Sequence, residues 1–278
     1  MAKTIADWRR MKQAGEKIVV LTAYDAPTAR ILHESGVDIL LVGDSLGNAV
    51  LGYDSTVPVT MAQMLHHSAA VRRGAPEAFI VTDMPFGSYQ CGWRSAVANA
   101  ISLIKEGGGD AVKLEGGVEV APVVERMVTA GVPVMGHIGL TPQTASLLGG
   151  YRVQGRDLPA AKKLLTGARA LQDAGAFAIV LECVPKELAA FLSAQVTVPI
   201  IGIGAGNGCD GQVLVCSDMF GLYEKFAPKF VKRYVEIAPL MRRAASEYVQ
   251  EVRNGSYPDD EHSFTAATDY KSLLDSEN

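Results

Sequence analysis

Eight short apolar runs, most of them entered through a glycine turn, restrict this chain more than any other feature of its sequence. They fall at about 18–23, 38–43, 78–82, 110–114, 132–136, 177–181, 198–203 and 213–216. Runs of this length, rich in Val and Ile, are the mark of parallel strands covered on both faces. Four are preceded by one phrase, in which a helical segment ends at a small residue plus Gly and an apolar run follows at once. The instances are Ser35-Gly36-Val37-Asp38, Gly108-Gly109-Asp110-Ala111, Ala130-Gly131-Val132-Pro133 and Ala174-Gly175-Ala176-Phe177. Gly suits the residue after a helix because it takes the left-handed conformation without steric cost. The phrase is the αβ turn of a repeated β–α unit. Eight such units in 278 residues predict an α/β fold, a closed (β/α)8 TIM barrel rather than an open doubly wound sheet, as a single domain over 1–278. Runs seven and eight are joined by a short Gly-rich link, so the crossover helix there is short or missing.

Helices flank the barrel. Thr4 and Asp7 have capping-box spacing, which predicts an N-terminal helix ending at Gly15. A C-terminal helical extension is predicted over 229–254, with Phe230, Tyr234, Ile237, Met241, Ala245, Tyr248 and Val252 on one side and a kink at Pro239. It is expected to pack against the barrel, with an oligomer contact as the alternative. The polar tail, 256–278, is expected to be surface structure or disordered. Long loops follow the strands, at 46–60, 84–93 and 139–157, the side on which barrel enzymes build sites and lids. Gly149, Gly150 and Gly155 are candidate hinges of a lid.

Four of the runs close on an acid: Asp44, Asp83, Glu115 and Glu182. Parallel strands in a barrel end at one face, and four carboxylates there would repel one another without a cation or shared protons. A divalent metal answers that demand. Asp44 and Asp83 are the best ligands, because Mg2+ takes oxygen donors and keeps several waters beside one or two carboxylates. The alternative is that one of them caps the following segment. Glu115 is expected beside them, as a ligand through water or as a supporting base. Lys113 shares the face of Glu115. It could neutralise the acids, grip a substrate carboxylate, form a Schiff base, or simply pair with a structural acid. Glu182, across the barrel from the second strand, is the candidate general base, or else a partner for a loop cation. His137 could donate a hydrogen bond to substrate or support the site from behind. His66 and His67 lie in a helical stretch and are taken as structural or surface residues. The run Gly202 to Gly208 resembles a phosphate cradle, yet no GKS/T follows, and close backbone packing accounts for it better.

Composition narrows the function further. A net charge of −4 without a Lys/Arg block argues against nucleic acid and anionic membranes as partners. No apolar stretch reaches the roughly 18 residues that span a bilayer. Four cysteines without CxxC spacing suggest reduced thiols, and the expected location is cytoplasmic. Cys183 adjoins Glu182 but is read as packing.

At these residues the chain resembles the ketopantoate hydroxymethyltransferase family. The phrases that carry the resemblance are LTAYDAPTAR at 21–30, LLVGDSLGNAVLGYDSTVPVTM at 40–61, TDMPFGSYQ at 82–90, AVKLEGG at 111–117, GHIGLTPQ at 136–143 and IGIGAGNGCDGQVLV at 201–215. They run in order over most of the chain. The resemblance implies a barrel of the phosphoenolpyruvate-mutase and isocitrate-lyase superfamily. It implies Mg2+-dependent hydroxymethyl transfer from 5,10-methylenetetrahydrofolate to the 2-oxo acid 3-methyl-2-oxobutanoate, with one Mg2+ per subunit. It further implies Asp44, Asp83 and Glu115 around the metal, Asp44, Ser45, Asp83 and Lys113 on the oxo acid, and Glu182 as proton acceptor. Large homo-oligomers, commonly decamers of two pentamers, are implied as well. The competing expectations are a Schiff-base aldolase using Lys113, a lyase or mutase on the same scaffold, and a non-catalytic barrel.

Overall fold

The computed structural model describes residues 3–224, 228–268 and 270. Eight parallel strands close into a barrel in sequence order: β1 Ile18–Thr22, β2 Ile39–Val42, β3 Phe79–Asp83, β4 Ala111–Glu115, β5 Val134–Gly139, β6 Ala178–Glu182, β7 Ile200–Ile203 and β8 Gly211–Leu214. The (β/α)8 TIM barrel is thus borne out. Three strands run one residue beyond the expected ends, so that Asp83, Glu115 and Glu182 lie inside β3, β4 and β6. Those ends are held by pairing, with Asp83 level with Lys113, Glu115 with His137, and Gly139 with Glu182. Glycine is required at 139, where φ is +97° and a Cβ would meet the Glu182 carbonyl oxygen at 2.2 Å. No helix joins β7 to β8, as the short link between them predicts.

Alternate residues of each strand point inward. Val20, Leu41, Val81, Met135, Val180, Ile201 and Val213 fill the barrel. A second apolar layer packs the outer strand faces against the surrounding helices. The N-terminal helix, Ile5–Ala14, has the predicted capping box and ends at left-handed Gly15. It seals the lower end of the barrel. Trp8 is fully buried and meets Phe79 edge-on at 5.4 Å, and Phe79 meets Phe177 at 5.9 Å. Lys12 fastens this helix by donating to the carbonyl oxygens of Ser193 (2.7 Å) and Val198 (2.9 Å) and to Asp210 (2.9 Å).

The C-terminal helix departs from expectation. It spans Ile237–Asn254 rather than 229–254, and of its residues only Ala238 is buried. Pro239 falls in the first turn, where its missing N–H breaks no helical bond, so it marks the start of the helix instead of kinking it. Leu240, Met241, Tyr248, Val249 and Val252 are exposed, so this helix does not pack against the barrel. Residues 256–268 of the tail are exposed and include a short 3-10 turn at Asp260–His262. Tyr257 packs on Tyr248 of the helix at 5.5 Å. The rest of the expected tail, 269 and 271–278, lies outside the described residues. Among the described residues no helix is long and apolar enough to cross a membrane.

Candidate active site

The upper ends of the strands surround a cavity of about 710 Å3. Asp44, Ser45, Asp83, Lys113, Glu115, His137 and Glu182 all line it, so every residue singled out for chemistry is brought to one place. Asp44, Asp83, Lys113, Glu115 and His137 are buried, while Glu182 keeps a small exposed edge.

Register explains the grouping. Asp83 and Lys113 stand side by side on β3 and β4, with Nζ 2.9 Å from Oδ1. The other Asp83 oxygen accepts the Asp44 backbone N–H at 3.0 Å, which ties the end of β2 to β3. Lys113 Nζ also lies 3.3 Å from His137 Nδ1. An ammonium only donates, so Nδ1 accepts and the imidazole proton sits on Nε2. Nε2 in turn lies 3.2 Å from Glu182 Oε2, close but without a well-directed hydrogen bond. Among the described residues it is His137, rather than a loop cation, that stands beside Glu182. Ser45 Oγ shares a hydrogen bond of 2.8 Å with Tyr24.

Electrostatics follow from burial. Desolvation, then the neighbouring Asp83 charge, pushes Asp44 up to about 7. Desolvation and Asp44 raise Glu115 well above the usual carboxylate range. Burial pulls Lys113 down, but Asp83, Glu115 and Asp44 outweigh it, so its net shift is upward and it stays cationic. Burial, with Lys113 beside it, lowers His137, which is accordingly neutral near pH 7. Cys183 is driven up to about 12 by burial and by Glu182, which makes it a poor nucleophile and agrees with a packing role. It holds a left-handed φ of +49°, uncommon for a residue with a Cβ, immediately after Glu182.

A residue not picked out from the sequence binds the cluster together. Gln143 is buried in the loop after β5. Its Nε2 donates to Asp44 Oδ2 (2.8 Å) and to the Met84 carbonyl (2.9 Å), and its backbone N–H donates to Glu115 Oε2 (3.0 Å). The Tyr89 hydroxyl donates to Gln143 Oε1 at 2.7 Å, which fixes which way round the amide lies. Gln143 closes the phrase GHIGLTPQ, and no other sequence signal points to it. The loop continues through Tyr151, Arg152 and Val153, which line the cavity mouth, and Gln154 N–H returns to the Cys183 carbonyl at 2.8 Å. Gly149, Gly150 and Gly155 in it all have positive φ. The Gly202–Gly208 run is packed rather than open, since a Cβ at 204 would strike Phe230 at 2.8 Å and one at 206 would strike Lys186 at 2.4 Å. His67 Nδ1 bonds the Tyr24 carbonyl oxygen at 2.7 Å, a structural contact.

The site suits a hard divalent cation. Asp44 and Asp83 are buried carboxylates that repel each other, and Asp83 Oδ1, though close to Lys113, has no well-directed hydrogen bond. Among the described residues no three His, Cys, Asp or Glu groups form a ready-made cage. Two carboxylates with water completing the shell are enough for Mg2+. Glu115 is engaged by the Gln143 N–H and stands 3.6 Å from His137 Nδ1.

A closed (β/α)8 barrel whose strand ends gather buried acids, one lysine and one histidine around a single cavity has the arrangement of an enzyme active site. The sequence profile described as "Ketopantoate hydroxymethyltransferase" matches residues 2–260, so the chain belongs to the ketopantoate hydroxymethyltransferase family and is a transferase. It is 63% identical to the 3-methyl-2-oxobutanoate hydroxymethyltransferase of Desulfotalea psychrophila, over 99% of this chain and 98% of that one. It is 56% identical to the enzyme of that name from Thermus thermophilus, over 95% and 100%. Among solved structures the fold is shared with phosphonopyruvate hydrolase, at TM-score 0.61 and 12% identity over 98% of this chain and 95% of that one. It is shared too with 2,3-dimethylmalate lyase, a PEP mutase/isocitrate lyase superfamily member, at TM-score 0.57 and 15% identity over 99% and 94%.

Proposed function

We propose that the chain transfers a hydroxymethyl group from 5,10-methylenetetrahydrofolate to 3-methyl-2-oxobutanoate, giving 2-dehydropantoate, the first step of pantothenate biosynthesis, in the cytoplasm. The observation that carries this reading is the meeting of Asp44, Asp83, Lys113 and Glu115 on one side of a buried cavity with Glu182 on the other. The activity for which the relatives are named supports it. So does the phosphonopyruvate hydrolase of the same fold, which was solved with oxalate and Mg2+.

Asp44 and Asp83 would hold one Mg2+ per subunit, with Glu115 behind them through water. When bound, the ion supplies Lewis-acid polarisation to the keto and carboxylate oxygens of a 2-oxo acid. Lys113, held cationic by its acidic neighbours, offsets the negative charge that develops on the substrate. Ser45 and Lys113 orient the oxo acid. Glu182 takes the proton from C3, with the neutral His137 imidazole beside that carboxylate. The carbon so freed bonds to the folate-borne methylene, the carbon–nitrogen bonds to the folate break and water supplies the hydroxyl oxygen, so that oxo acid, methylene-folate and water give 2-dehydropantoate and tetrahydrofolate. The raised proton affinity of Lys113 weighs against a Schiff-base aldolase, which needs a neutral amine.

Turnover with 3-methyl-2-oxobutanoate, methylene-folate and Mg2+ should disappear with EDTA. Glu182→Gln should slow exchange of the C3 proton into D2O by roughly 100-fold or more while Mg2+ binding is retained. Unchanged exchange would remove Glu182 from the base role. We infer also that the chain forms a homo-oligomer, the decamer of the resemblance, with the exposed apolar side of Ile237–Asn254 covered by another copy. Sedimentation as a monomer would end that inference.

A further inference from the structure

We propose that the part of the cavity beyond β8 is the pterin subsite, where the Asp218 carboxylate and the Ser217 hydroxyl read the 2-amino-4-oxo edge of the folate. This rests on the hydroxymethyl transfer proposed above.

The cavity is larger than its anionic floor requires. A volume of about 710 Å3 is of the size that holds a drug-sized ligand, and a five-carbon oxo acid fills only a fraction of it. The remainder is lined from β8 onward by Leu214, Val215, Ser217, Asp218 and Phe230. Ser217 is 6% exposed, yet its Oγ has no hydrogen-bond partner. Across the same space Thr56 is 4% exposed and its Oγ1 is also unpartnered. Two hydroxyls buried without partners at the wall of one cavity are costly unless a ligand completes them.

Asp218 adds a charge of the right kind. It is half-buried, and its carboxylate makes no hydrogen bond or ion pair among the described residues. Arg233, the cation that influences it, gives two of its guanidinium nitrogens to Glu236 (3.2 Å) and the Tyr223 carbonyl (3.2 Å), while its Nε has no partner and makes no hydrogen bond to Asp218. Burial raises the affinity of Asp218 for protons, as expected of an acid awaiting donors. A pterin presents two N–H donors side by side, at N3 and the 2-amino group, which match the two oxygens of a carboxylate. Its 4-oxo group beside them accepts, and the Ser217 hydroxyl can donate. Leu214, Val215 and Phe230 supply apolar surface for the ring, and Arg152 and Lys229 at the mouth suit the carboxylates of the glutamyl tail.

The position suits the chemistry. Round the closed barrel β8 stands two strands from β6, which carries Glu182, and two from β2, which leads to Asp44. A ring seated past β8 therefore faces the gap between the base and the metal acids, where the nucleophilic carbon forms.

The test uses the full chain with Mg2+ and two variants, Asp218→Asn and Ser217→Ala. Three quantities are measured: the dissociation constant for tetrahydrofolate, the Michaelis constant for the methylene-folate donor, and D2O exchange at C3 of 3-methyl-2-oxobutanoate, which needs no folate. Asp218→Asn should raise both folate constants roughly 10- to 100-fold, and Ser217→Ala several-fold, with exchange retained. Folate constants within twofold of wild type in both variants would overturn the assignment. Exchange lost in step with folate affinity in both would overturn it too, by showing a purely structural role. A wild-type protein that exchanges the proton but binds no tetrahydrofolate would instead refute the parent reaction.

Discussion

Each end of this barrel holds a lysine, half-buried Lys12 below and buried Lys113 above, and the two are treated in opposite ways. At the lower end Lys12 gives its three donors to two carbonyl oxygens and Asp210, so its ammonium is fully partnered. At the upper end Lys113 sits among Asp83, Glu115 and Asp44, and the acids around it remain mutually repelled. The lysine of the lower end is satisfied and serves stability. The upper end holds charge that is settled only when a ligand arrives, which is how an active site differs from a core.

The comparison breaks most readily at Trp8. Trp8→Ala should cost about 3–5 kcal/mol of stability, measured by urea unfolding, with kcat per folded molecule unchanged. A fall in kcat would mean that the ends are not independent. Lys12→Met should cost about 2 kcal/mol by leaving buried acceptors without a donor, again without a kinetic effect.

The upper end should answer to pH and metal instead. In chelator-treated protein Asp44 is raised in the folded state from 3.8 to about 7, so the folded form binds the extra proton. Its stabilising contribution is complete below pH 3.8 and is lost as pH rises through about 7. Melting temperature should therefore fall across that window, and Mg2+ should restore more of it at pH 8 than at pH 5. The opposite slope would mean that the acids are not mutually destabilised. The smallest effect is expected at Gln143. Gln143→Leu should weaken Mg2+ binding roughly tenfold, read by calorimetry, and should also lower the melting temperature of the metal-free protein, since Asp44 Oδ2 and the Met84 carbonyl lose their donor.

The barrel and its acids were legible because their signals are local. A strand is a short apolar run, and its last residue lies where the run stops. Gln143 was not legible, because it bonds residues 99 and 59 positions away, at Asp44 and Met84, and no spacing encodes such a meeting. Tyr89 and Tyr24 escaped for the same reason, being polar groups whose partners come from distant loops. The helix at 237–254 was visible by its period, but its start and its neighbours were not. An apolar stripe says that something covers it and does not say whether that cover belongs to the same chain.

The plug made by Trp8, Phe79 and Phe177 also bears on kinetics. With that floor shut, reactants and products share one doorway, and the acids lie at its bottom. Under the reaction proposed here, the small oxo acid must enter before the bulky folate, and the spent folate must leave before the new acid can follow. Initial-rate patterns should accordingly show compulsory order, with the one-carbon donor always second in.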